Sequence, residues 1–160
     1  MLSVLGGRQL ALLALTGVAA ASVAVATESS RSAQDDRRVA VERTVRAAVY
    51  AAVRHHNYRR ACRYATPRGR QRLLEGFNSS SGPDYPDCPT IIADEVENYP
   101  ETARKLRRNL DVEVLRAGAA RARVRVAEGS GPFDGGGYLT LVRVGGRWRL
   151  DNSNLIPYGD

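Results

Sequence analysis

The apolar residues of this chain change their spacing near residue 110, and that change bounds the fold more tightly than any other feature. From Val39 onward Val41, Val45, Ala48, Val49, Ala52 and Val53 recur three or four residues apart, with Glu42, Arg43, Arg46 and Arg54 on the other side. That is the pattern of an amphipathic helix of about five turns. After Leu110, residues 111–114 (DVEV) and 121–126 (RARVRV) alternate polar and apolar, as half-buried antiparallel strands do. Helices first and strands afterwards predict an α+β domain, with N-terminal helices packed on a bent antiparallel sheet of about four strands.

Local signals subdivide both halves. Asn57 breaks the first helix, and Tyr58 to Tyr64 reads as a short second one carrying Cys62. Thr66-Pro67 is an N-cap followed by proline at the first helical position, which starts a third helix that runs through Leu74 and stops at Gly76. Residues 77–89 (FNSSSGPDYPDCP) are dense in turn formers and are expected as a loop. Helical signal returns over Thr90 to Asn98 and over Glu101 to Asn109, divided by Pro100.

In the last third, Tyr138 to Val144 and Arg147 to Asn152 are joined by Gly145-Gly146, a pair suited to the positive φ of a two-residue hairpin turn. This register sets Trp148 opposite Arg143 and Leu150 opposite Leu141. Leu139, Leu141, Trp148 and Leu150 then face the helices, while Arg121, Arg123, Arg125, Arg147 and Arg149 share the other face.

The N-terminus and the cysteines argue for export. Arg8 is the one charged residue among residues 1–26, Leu10 to Ala26 is uncharged, and Ala24-Val25-Ala26 offers small residues where a signal peptidase needs them. Cleavage after Ala26 is expected, with a retained membrane anchor as the alternative. Residues 27–36 hold little to bury and read as a flexible linker, so the folded domain spans residues 37–160. Cys62 and Cys88 are the two cysteines, and an even count in an exported chain argues for one bridge between them, worth roughly 3 to 4 kcal/mol. The net charge of +7 favours anionic partners or an anionic membrane surface. Arginine abundance assigns no function by itself, since 23 arginines against one lysine also reflects a GC-rich coding sequence of bacterial type.

Three segments carry a resemblance to a known family. Residues 49–53 (VYAAV), Asn57-Tyr58 followed by Ala61-Cys62, and the closing residues 146–150 (GRWRL) resemble exported members of the nuclear transport factor 2-like superfamily. The resemblance covers most of residues 37–152. It implies a cone, in which a bent sheet wraps around helices and often encloses a pocket. Such proteins frequently carry Gly-Asp where this chain has His56-Asn57.

That superfamily includes isomerases and lyases, whose chemistry needs a carboxylate or imidazole in an apolar site. On the expected strands Asp111, Glu113 and Asp151 fall at the polar parity, so no catalytic residue is assigned; Asp94 and Asp134 are the carboxylates able to enter from a helix or loop. Adjacent His55 and His56 point about 100° apart on a helix, which suits a helix C-terminus better than a metal ion. No metal or cofactor is expected. Tyr50, Tyr64 and Trp148 are the candidates for a pocket lining, although Tyr50, Tyr58, Tyr64 and Tyr138 all have spacings that suit core or rim packing better. Asn78-Ser79-Ser80 matches a glycosylation acceptor by chance in a bacterial-type chain. Nucleic acid is not expected as a partner, because stacking aromatics are not interleaved with the arginines. A monomer is expected, since five like charges on the outer face oppose pairing of two copies.

The functional expectation is an exported, noncatalytic domain of the cell envelope or extracellular space. It binds a small ligand or an envelope protein, or through its arginines an anionic surface or polymer. The alternative is a cone-fold lyase or isomerase acting on a small hydrophobic substrate.

Overall fold

The computed structural model describes residues 16–79, 84–127 and 136–151, with side chains from residue 29 on. Most of the expected export segment, Asp134 and residues 152–160 lie outside the described residues. The chain divides into two units, Met1–Asp35 and Asp36–Asp160. Helix α1 (Thr16–Val53) contributes to both. Among the described residues no helix is long and apolar enough to cross a membrane.

Residues 27–36, expected as a linker, are helical. They contain neither Pro nor Gly, and a helix begun elsewhere propagates through such residues at little cost. Residues 29–36 are exposed all round, so this part of the helix buries nothing. Burial starts within the second unit at Val41, and Val41 and Val45 are fully enclosed.

Helix α1 ends where His56 takes the left-handed conformation, φ +46°, and the amide of Asn57 reaches back to the carbonyl of Ala51 at 2.8 Å. Asn57 then caps α2 (Tyr58–Arg63), its side chain accepting from the amide of Arg60 at 3.0 Å. Thr66 caps α3 (Pro67–Asn78), accepting from the amide of Gly69 at 2.8 Å and donating to Asp151 Oδ1 at 2.6 Å. One hydroxyl thus ties the start of a helix to the end of the sheet. Gly69 sits against the sheet so closely that a Cβ there would lie 2.8 Å from the carbonyl oxygen of Leu150.

Several helix boundaries differ from expectation. α3 runs past Gly76 to Asn78 because tertiary contacts hold its last turn. Phe77 packs edge-to-face on Tyr85, with 5.8 Å between centroids, and the Asn78 amide bonds both backbone groups of Tyr85. Cys88 opens α4 (Cys88–Asn98) instead of lying in a loop: Asp87 is its N-cap, accepting from the amide and hydroxyl of Thr90 at 2.9 and 2.7 Å, and Pro89 occupies its first turn. Pro100 likewise starts α5 (Pro100–Asn109).

The four strands β1 (Asp111–Ala117), β2 (Arg121–Ala127), β3 (Gly136–Val144) and β4 (Arg147–Leu150) form one open antiparallel sheet in the order β1-β2-β3-β4. Gly145 and Gly146, at φ +55° and +77°, close the β3–β4 hairpin. The expected register holds, with Arg143 opposite Trp148 and Leu141 opposite Leu150. β1 continues beyond Val114 through a bulge at Leu115. The inward side chains, among them Val124, Val126, Leu139, Leu141 and Leu150, join Val41, Val45, Ile91, Ile92 and Leu106 of the helices in a single buried cluster. Cys62 and Cys88 are bridged within it, joining α2 to the first residue of α4.

Candidate functional site

The hairpin that turns at Gly145-Gly146 carries Arg147, Trp148 and Arg149 past helix α1. Between them lies a groove of about 320 Å³, walled by Ala40, Arg43 and Thr44 on one side and by Tyr64 and residues 146–149 on the other. Its size suits a small ligand or a few residues of peptide. Trp148 is buried, Tyr64 is half-buried, and Arg43 and Arg147 are exposed at the rim. Arg149 is held differently, donating to the carbonyl of Arg63 at the end of α2. Two aromatic and three arginine residues in one lining suit an anion with an apolar body, because arginine binds carboxylate and phosphate in a fixed fork geometry.

Of the three aromatic candidates, the structure brings Tyr64 and Trp148 together in this groove. Tyr50 lies elsewhere on α1, beneath the guanidinium of Arg54, 3.9 Å from its ring centroid. Periodicity alone does not separate the two kinds of aromatic, since both occur near apolar stripes.

The outer sheet face is less uniformly basic than five free guanidinium groups. Arg125 is paired with Glu113 across the strands at 3.1 Å. Arg123 lies 4.7 Å above the ring centroid of Tyr138, so an aromatic is interleaved after all. Tyr138 sits on this face because it pairs with Arg125 in the register. Arg116, which lies beyond the β1 bulge, joins the face opposite Arg123. Among the described residues Arg116, Arg121, Arg123 and Arg147 have no carboxylate within ion-pair distance.

Among the described residues no carboxylate lines the groove. Asp151 accepts from Thr66, and Asp94 accepts from the Tyr85 hydroxyl at 2.6 Å, a bond that, with burial, pushes the phenol up to about 12. Glu95 is the carboxylate that the sequence reading passed over. It is 8% exposed on the inner face of α4, and its Oε2 has no hydrogen-bond partner. Burial first, and the charge of Asp94 second, push its pKa up to about 7. A signal was present: Cys88, Ile91, Ile92, Glu95 and Val96 follow the helical apolar spacing, with Glu95 inside the stripe.

His56 Nδ1 lies 3.0 Å from the Tyr58 hydroxyl, and the Arg107 guanidinium approaches its other nitrogen at 3.4 Å. Among the described residues no three His, Cys, Asp or Glu side chains are placed to hold a metal ion. Comparison with known protein families, curated protein sequences and solved structures gives no match.

Proposed function

We propose that this chain is an exported, noncatalytic binding domain of the cell envelope or extracellular space, and that its ligand seat is the groove between α1 and β4. The observation that carries this reading is the composition of that groove, whose lining includes Tyr64 and Trp148 together with Arg43, Arg147 and Arg149. Its occupant is an anion with an apolar or aromatic part, either a small ligand or a segment of an envelope protein. The bridge between Cys62 and Cys88 supports an oxidising compartment. The order of helices and strands, and a left-handed His56 where proteins of the nuclear transport factor 2-like superfamily frequently have glycine, support the reading of this domain as one of that kind.

The test is a titration with the anionic aromatic dye anilinonaphthalene sulfonate, followed by dye emission and Trp148 fluorescence. Saturable binding to one site is expected, weakened tenfold or more by Arg147→Glu, whose exposed position leaves the fold intact. Binding that does not saturate, or that ignores this substitution, overturns the reading.

Glu95 favours a second reading, a lyase or isomerase acting on a small hydrophobic substrate, because a buried carboxylate with a pKa near neutrality suits a general base. That reading expects a small apolar ketone to move the carboxyl titration of Glu95 seen by carbon NMR. An unmoved titration sinks it.

A further inference from the structure

The residues that line the groove include most of β4, which is an edge strand of the sheet. In a two-residue hairpin Val144 and Arg147 exchange hydrogen bonds, and so do Val142 and Arg149 two residues on. The intervening pairs, Arg143 with Trp148 and Leu141 with Leu150, therefore turn their N–H and C=O groups away from each other. The hydrogen bonds agree: the Arg143 amide donates to Ala120, towards β2, at 2.9 Å. On the opposite edge the Leu150 amide donates to the carbonyl of Tyr64 and the Leu150 carbonyl accepts from the amide of Thr66, both at 2.8 Å.

Trp148 has the same parity as Leu150, so its N–H and C=O face that same outer edge of β4. Among the described residues neither group has a partner. The chain covers the edge at Leu150 with a parallel bridge from Ala65, but the preceding residues coil into α2 and their backbone does not pair with Trp148. One strand position is left without a backbone partner, and its residue, Trp148, is among those that line the groove.

We propose that an extended acidic peptide segment of a partner protein adds to the edge of β4 at Trp148. One residue of the segment donates its N–H to the Trp148 carbonyl and accepts the Trp148 N–H on its own carbonyl, while its carboxylates meet Arg43, Arg147 and Arg149. The paired donor and acceptor decide the chemistry. A phosphate or carboxylate polymer presents acceptors alone and leaves the Trp148 carbonyl unpaired, whereas a peptide backbone satisfies both groups. The guanidinium groups at the rim select acidic side chains.

This inference rests on the reading of the groove as the ligand seat, and the experiment separates the two. Bound dye is displaced with the capped peptide Ac-Glu-Val-Glu-Val-Glu-NH2, with two versions N-methylated at all Glu or at all Val residues, and with inorganic polyphosphate of comparable charge. The parent peptide is expected to displace the dye, and one methylated version to do so at least tenfold less well than the other. Methylation on one strand edge blocks pairing, and on the other edge it points to solvent. Equal displacement by both methylated peptides and by polyphosphate overturns the strand pairing while leaving the groove reading in place. So does dye binding that no peptide disturbs. A dye that does not bind to the groove removes both.

Discussion

Arg54 and Arg107 each hold the backbone at the end of the other's helix. Arg54 donates from Nε and Nη2 to the carbonyl of Arg107, at 3.1 and 2.6 Å, and Arg107 donates from Nε to the carbonyl of Val53 at 2.9 Å. These are the last turns of α5 and α1, where carbonyls lack partners within the helix and a cation is favoured. Each acceptor is a backbone group that survives loss of the other side chain. Arg54→Ala and Arg107→Ala are therefore each expected to cost about 1 kcal/mol, with the double variant close to the sum. Urea unfolding of the four proteins checks this; a coupling above about 1 kcal/mol would show instead that the two guanidinium groups depend on each other.

His56 occupies a backbone conformation that suits glycine. A left-handed non-glycine residue costs roughly 1 kcal/mol, and here a contact with the Tyr58 hydroxyl at 3.0 Å offsets part of that. His56→Gly is expected to raise the melting temperature by a few degrees, and His56→Val to lower it by more. A glycine variant less stable than the parent would mean that the ring contacts outweigh the strain.

Glu95 should make stability fall as pH rises. Its folded pKa, pushed up to about 7 by burial, lies above the value in the unfolded chain. Ionisation therefore favours the unfolded state, starting near the unfolded value and complete once pH passes the folded one. Glu95→Gln is expected to match the parent below about pH 4.5 and to exceed it by on the order of 2 to 3 kcal/mol above pH 7. Denaturation measured across this range checks the sign. A variant that differs from the parent by the same amount at every pH would show that folding does not shift the Glu95 pKa.

The bridge between Cys62 and Cys88 closes a separation of 26 residues and pins α2 to the start of α4. Replacing both cysteines by serine is expected to cost roughly 3 to 4 kcal/mol. Alkylation of the purified protein before reduction should label neither thiol. Two labelled thiols would remove the support that the bridge gives to an oxidising compartment.

Much of the fold is written in residues close together in the chain. The switch from helical to alternating spacing, the caps at Asn57 and Thr66, and the Gly145-Gly146 turn each depend on a few consecutive side chains. The register of Trp148 against Arg143 follows from the turn length. By the same local logic Arg121, Arg123, Arg125, Arg147 and Arg149 fall at one parity of the sheet.

What tertiary structure decided lies in contacts between distant segments. Phe77 and Asn78 extend α3 past Gly76 because the chain folds back after the helix and brings Tyr85, seven residues beyond Asn78, against them. Tyr64 and Trp148 share a groove that Tyr50 does not, and the burial of Glu95 depends on what packs against α4. The open edge at Trp148 is the clearest case. The sequence by itself determined that Trp148 lies in a hairpin strand; whether its N–H and C=O are covered depended on where residues 64–66 cross β4, since backbone polar groups are alike in every residue and only placement distinguishes them.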